Sequence, residues 1–137
     1  MKKVILNKCF GGFKPSTKAY ELYAKKKGLE LYIYEVHMDN KKVNYHKVDD
    51  SDSMFTVYLT KDYGDVVDSI NNEDKLYLDD GHREDETLIE VVEELGPDAS
   101  SYASLLKIVE IPDDVAKDYV IDNYDGIETL HQRVQEW

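Results

Sequence analysis

The sequence predicts a single α+β domain, a mostly antiparallel sheet carrying two to three helices. Three observations point there. The 137 residues are 42% hydrophobic and 34% charged, enough apolar content for one core under a heavily ionised surface. Short alternating runs rich in Tyr, Ile and Val are separated by polar turns. Two longer stretches carry helical stripes between a capping residue and a glycine.

Taken in order, Val4 to Leu6 read as a first strand. That apolar stretch is far shorter than the core of a signal peptide. Cys9 to Phe13 form a loop, and Ser16 or Thr17 caps a helix whose stripe is Ala19, Tyr20, Tyr23 and Ala24. Gly28 stops it, because glycine tolerates the left-handed conformation of a helix end. Leu29 to Val36 and Val43 to Val48 read as strands around a turn at Asp39-Asn40, and Met54 to Thr60 as the next. Asp62, Asp65 and Asp68 are three apart, the spacing of an exposed helical face. A short strand is expected at Leu76-Tyr77-Leu78. Asp85 caps a helix over Glu86 to Leu95, closed by Gly96-Pro97. Leu105 to Ile111 reads as a central strand ended by Pro112, which has no N–H to pair. Tyr119 to Asp122 reads as a short strand and Ile127 to Gln135 as a last helix.

Charge is split along the chain. Residues 1–47 hold eleven lysines against four carboxylates, net +7, and residues 48–137 hold six basic and 25 acidic groups, net −19. The total of −12 therefore allows two opposite contact surfaces, unless folding interleaves them. The acidic side falls on loops and on the outer face of the second helix: Asp79, Asp80, Glu86, Glu90, Glu93 and Glu94 are the expected partner-binding residues. Dense carboxylates of this kind can mimic a nucleic-acid backbone in a basic groove of another protein. Alternatively they are a solvated face.

The strand–Gly–Gly–helix turn is the other candidate. Glycines let a ligand approach the backbone, a helix start attracts anions, and Lys8 and Lys14 add positive charge. Lys8, Cys9, Gly11, Gly12, Lys14 and Ser16 form the expected ligand-binding set, for a small anion such as a nucleotide. The turn is neither a Walker A loop nor GxGxxG, and the competing reading is that the glycines only turn the chain.

Catalytic and metal readings are weaker. Cys9 is the single cysteine, so no disulfide can form within the chain, and no histidine pattern accompanies it. A thiol beside a helix start can be reactive, but a small core residue is the plainer reading. Asp49-Asp50-Ser51-Asp52 and Asp79-Asp80-Gly81-His82 are calcium-loop-like in composition without the EF-hand spacing. His37, His46, His82 and His131 form no zinc motif. Asp113, Asp114, Asp122 and Asp125 offer paired carboxylates, or turns and caps. No catalytic centre, metal or cofactor is expected. The eleven tyrosines supply both core and binding surface.

Several blocks together carry a resemblance. Asn7-Lys8-Cys9-Phe10-Gly11-Gly12-Phe13 followed by Ser16 resembles the opening, Asn-Lys-Cys-Tyr-Gly-Gly-Phe, of a family of small phage and prophage proteins. Val91 to Gly96 is similar to its middle helix, Leu106 to Val115 to its signature strand and turn, and Tyr124 to Glu128 with Trp137 to its close. Residues 29–80 carry no such match. Val134-Gln135 stand where the family tends to have His-Arg. The resemblance implies a bacterial mobile element and expression in the host cytoplasm, and nothing about catalysis. The expected function is inhibition of a host enzyme or defence system by protein–protein contact with a basic partner. The alternative is capture of a small anionic ligand. Neither direct nucleic-acid binding nor membrane contact is expected, and a homodimer is left open.

Overall fold

The computed structural model describes residues 2–9, 11–49, 55–101, 104–113 and 119–132. Its organising element is an antiparallel ribbon of β1 (Lys2–Asn7) and β6 (Leu106–Ile111), in register from Lys2 opposite Ile111 to Asn7 opposite Leu106. Both faces of this ribbon are covered. Ile5 and Leu106 point into the main core, formed with Tyr20, Ile33, Tyr58, Leu78, Leu88 and Val91, whereas Val4, Leu6 and Ile111 pack against Tyr119, Ile121 and Leu130. That is why Val4-Ile5-Leu6 is a continuous apolar run rather than an alternating one. Full burial of each such side chain contributes about 1.5–3 kcal/mol.

Two helices close the main core. Helix α1 (Thr17–Lys27) starts at Ser16, whose hydroxyl accepts from the Ala19 N–H. It ends at Gly28, which is left-handed at φ 69°, with Lys25, Lys26 and Lys27 in the last turn to oppose the helix dipole. Helix α2 (Glu86–Leu95) starts at Asp85, whose Oδ1 accepts from the N–H groups of Thr87 and Leu88 at 2.8 and 3.2 Å. The Tyr23 hydroxyl donates to the other oxygen of Asp85 at 2.8 Å, joining the two helices. Burial disfavours the Asp85 carboxylate, but the Tyr23, Leu88 and Thr87 bonds outweigh it and hold its pKa below the ordinary value.

A second sheet runs β4 (Thr56–Leu59), β2 (Tyr32–Asp39), β3 (Lys42–Val48), β5 (Val66–Val67), antiparallel throughout. Asn40 and Lys41 both have positive φ, the two-residue turn whose twist suits a hairpin. The last ribbon is β7 (Tyr119–Tyr124) and β8 (Ile127–Gln132), joined by Asp125-Gly126, again both at positive φ. Among the described residues no helix is long and apolar enough to cross a membrane.

The α+β prediction holds, with both helices and their caps where the sequence places them. Four local readings are corrected. Ile127 to Gln132 is a strand, not the start of a helix; Arg133 to Gln135 lie outside the described residues. Leu76 to Leu78 forms no ladder. It follows a single bridge between Leu59 and Lys75, and the Leu78 N–H goes to the Tyr20 hydroxyl instead. Asp62, Asp65 and Asp68 are not on a helix: Asp62 accepts from Lys47 and the Gly64 N–H in a loop leading to β5. β6 pairs with β1 alone among the described residues, so it is not central to a larger sheet.

Candidate functional site

The site begins with Asn7, the last residue of β1 and fully buried. Its side chain donates to the Cys9 and Gly126 carbonyls at 2.9 and 2.7 Å and accepts from the Leu105 N–H at 2.9 Å. These bonds shape the loop after β1 and dock it on the β7–β8 turn, where the Gly11 N–H donates to the Asp125 carbonyl.

Arg83 joins the same wall from the other side. Its guanidinium donates to both oxygens of the buried Glu128 carboxylate, at 3.2 and 2.9 Å, and to the Ile5 carbonyl at 3.2 Å. It also lies 5.5 Å from the centre of the Phe13 ring. Glu128 accepts further from the Asn7 N–H at 2.8 Å. Both Glu128 oxygens are thus bonded, and loss of a partner would leave a buried polar group unsatisfied.

In front of this wall lies a cleft of about 850 Å³. Gly12, Phe13 and Lys14 line it. The lining also includes the segment Lys75 to Asp80 and Tyr20, Thr56 and Tyr58. The Tyr20 and Tyr58 rings stack 3.7 Å apart, nearly parallel. Burial pushes the Tyr20 hydroxyl pKa upward, so it stays neutral.

The acids of the cleft are largely spoken for. Asp79 Oδ1 accepts from the Gly81 N–H at 3.0 Å and sits 3.2 Å from His82 Nδ1, Asp80 lies 3.8 Å from Arg83, and Glu128 is held as above. The Lys75 ammonium, by contrast, has no hydrogen-bond or ion-pair partner among the described residues. The volume falls within the roughly 300–1,000 Å³ of small-molecule sites.

The expected ligand set is divided by the fold. Gly12 and Lys14 line the cleft; Lys8, Cys9, Gly11 and Ser16 do not. The Lys8 ammonium donates to the Glu128 carbonyl at 2.6 Å. Cys9 is a free thiol, half-buried. Ser16 is taken up as a cap and donates to the Asp98 carbonyl, while its own N–H goes to Ala99, so the start of α1 lies under the Gly96–Ala99 turn.

The expected partner set is divided too. Asp79 and Asp80 line the cleft. Glu86, Glu90, Glu93 and Glu94 are exposed on α2, and Lys3 bonds Glu93 at 3.0 Å while Lys26 meets Glu94 at 2.6 Å and Glu90 at 3.6 Å. Lys2 likewise pairs with Glu84, and Lys47 with Asp62 at 2.5 Å. At these positions the basic and acidic parts of the chain interleave. Among the described residues no group of three or more His, Cys, Asp or Glu side chains is arranged to hold a metal ion. Of the calcium-like loop, Asp50, Ser51 and Asp52 lie outside the described residues, as does Asp114 of the proposed carboxylate pairs.

No known protein family, curated protein or solved structure matches this chain.

The cleft residues missed in the sequence are Tyr20, Tyr58, Lys75, Tyr77 and Glu128, with Arg83 behind them. Lys75-Leu76-Tyr77-Leu78-Asp79 did carry a signal. Its alternation places Leu78 in the core, 1% exposed, and turns Lys75, Tyr77 and Asp79 the other way.

Proposed function

We propose that this protein is a non-catalytic binder of a small anionic ligand, held in the cleft between Gly12–Lys14 and Lys75–Asp80. The observation that carries this reading is the charge arrangement. Of the three carboxylates that line the cleft, Asp79 and Glu128 accept internal hydrogen bonds and Asp80 lies 3.8 Å from Arg83, while the Lys75 ammonium has no such partner among the described residues. Lys14 also lines the cleft. A nucleotide has the charge and size for such a site. The test is thermal unfolding in the presence of nucleoside mono- and diphosphates. Ligand at one hundred times its Kd stabilises by about 2.7 kcal/mol, so the midpoint rises with concentration. An unchanged midpoint across millimolar nucleotides contradicts the reading.

A second reading keeps its own support. The outer face of α2 presents Glu86, Glu90, Glu93 and Glu94 to solvent on a chain of net charge −12. On that reading the protein is of phage or prophage origin and, in the bacterial cytoplasm, occupies a basic groove of a host enzyme or defence protein. Association then slows as salt rises, and charge reversal at Glu90, Glu93 and Glu94 abolishes it. Association indifferent to both contradicts it.

A further inference from the structure

We infer that the ligand of the cleft carries a flat ring, and that Tyr77 is the residue that stacks on it; the inference rests on the anionic-ligand reading above. Four aromatic residues are among those lining the cleft: Phe13, Tyr20, Tyr58 and Tyr77. Three are already engaged. Tyr20 and Tyr58 stack on each other, and their hydroxyls are bonded to the Leu78 N–H and to Thr17. Phe13 lies under the Arg83 guanidinium. Tyr77 alone is 70% exposed, with no ring contact or hydrogen bond among the described residues.

Its neighbours explain the exposure. Leu78 is anchored in the main core and its N–H is held by Tyr20, so the extended segment cannot roll Tyr77 inward. Residues two apart on an extended chain point the same way and stand about 7 Å apart. Tyr77 and Lys75 are so related, which puts an exposed ring and an unpartnered ammonium on the same side of the segment. A nucleotide has a ring and a phosphate separated by a sugar, a comparable span. There is room at Gly12, where an added methyl group would have no atom within 4 Å. Ring stacking tolerates any base, since every base has a π-face. The platform therefore selects for a ring, and Lys75 for the anion.

Isothermal titration with three probes separates the two parts: adenosine 5′-monophosphate, adenosine and inorganic phosphate, each against the wild-type chain, Tyr77→Ala, Tyr77→Phe and Lys75→Ala. Tyr77 is exposed, so its variants should melt as the wild type does. The expected result is that the monophosphate binds more tightly than phosphate. Tyr77→Ala then weakens the monophosphate about 5- to 150-fold, the range for loss of a base–aromatic stack, and leaves phosphate unchanged. Tyr77→Phe keeps the ring and the affinity. Equal binding of monophosphate and phosphate, indifferent to Tyr77→Ala, overturns the ring inference and leaves the anionic reading standing. Adenosine binding as well as the monophosphate, unaffected by Lys75→Ala, does the reverse. Absence of binding by all three probes overturns both.

Discussion

Arg83 and Glu128 meet as a two-pronged ion pair, 3.2 and 2.9 Å, across the back of the cleft. Arg83 precedes α2 and Glu128 lies on β8, so the pair ties the two halves of the cleft wall together. Both side chains are largely withdrawn from water, at 13% and 5% exposure. Removing one partner leaves the other charged and buried. We therefore expect Arg83→Met or Glu128→Leu alone to cost about 3–5 kcal/mol, read as a fall in the denaturant midpoint. The double variant should recover much of that loss. A double variant as unstable as the sum of the singles contradicts the account.

Two glycines near the cleft should answer substitution in opposite ways. Gly126 has φ 97°, and a Cβ there would stand 2.1 Å from the Gly11 carbonyl oxygen. Gly126→Ala should lose more than about 1 kcal/mol through strain and displacement of the loop. Gly12→Ala meets open space and should change stability by less than about 0.5 kcal/mol. Chemical denaturation of the two variants side by side gives the comparison, and equal losses contradict it.

The Tyr23–Asp85 bond gives the helix pair a pH dependence at both ends. Asp85 titrates below its ordinary value when folded. Its contribution is thus complete above the unfolded pKa of about 3.9 and is lost as pH falls through the folded one. Tyr23 is pushed up to about 12, first by burial and then by the Asp85 bond. Its contribution is complete below an unfolded pKa of about 10 and is lost as pH rises through the folded value. Asp85→Ala should lower stability at neutral pH by about 0.5–2 kcal/mol, the worth of a helix cap, and flatten the acid limb. Tyr23→Phe should flatten the alkaline limb. Melting curves across pH that keep both limbs in both variants contradict the assignment.

The helices were the readable part of the chain, because each carries its own punctuation. Ser16 and Asp85 cap, Gly28 and Gly96 stop, and apolar stripes lie between. The strands were readable where alternation met a turn, as in β2 and β3. The β7–β8 hairpin was misread for a specific reason. Ile127, Leu130 and His131 fall at a helical spacing, whereas Asp125-Gly126 is the local signal for the two-residue hairpin turn that forms.

The cleft was only half readable. Gly12 and Lys14 stood out because glycines and lysines cluster visibly in the sequence, and Asp79 and Asp80 because they are adjacent acids. That these two features share one cleft depends on Asn7, Arg83 and Glu128, whose bonds join residues as much as 121 positions apart. The charge split was a property of the chain that folding partly dissolved, since Lys2, Lys3, Lys26 and Lys47 all bond carboxylates from the acidic part.

Amide NMR of the labelled chain titrated with adenosine 5′-monophosphate shows whether ligand enters the cleft lined by Gly12–Lys14 and Lys75–Asp80. Saturable shifts are expected at Gly12, Lys14, Lys75, Tyr77 and Asp79, with the outer face of α2 unmoved. Cleft amides that stay fixed at millimolar nucleotide, or shifts confined to Glu86, Glu90, Glu93 and Glu94, would contradict ligand entry there.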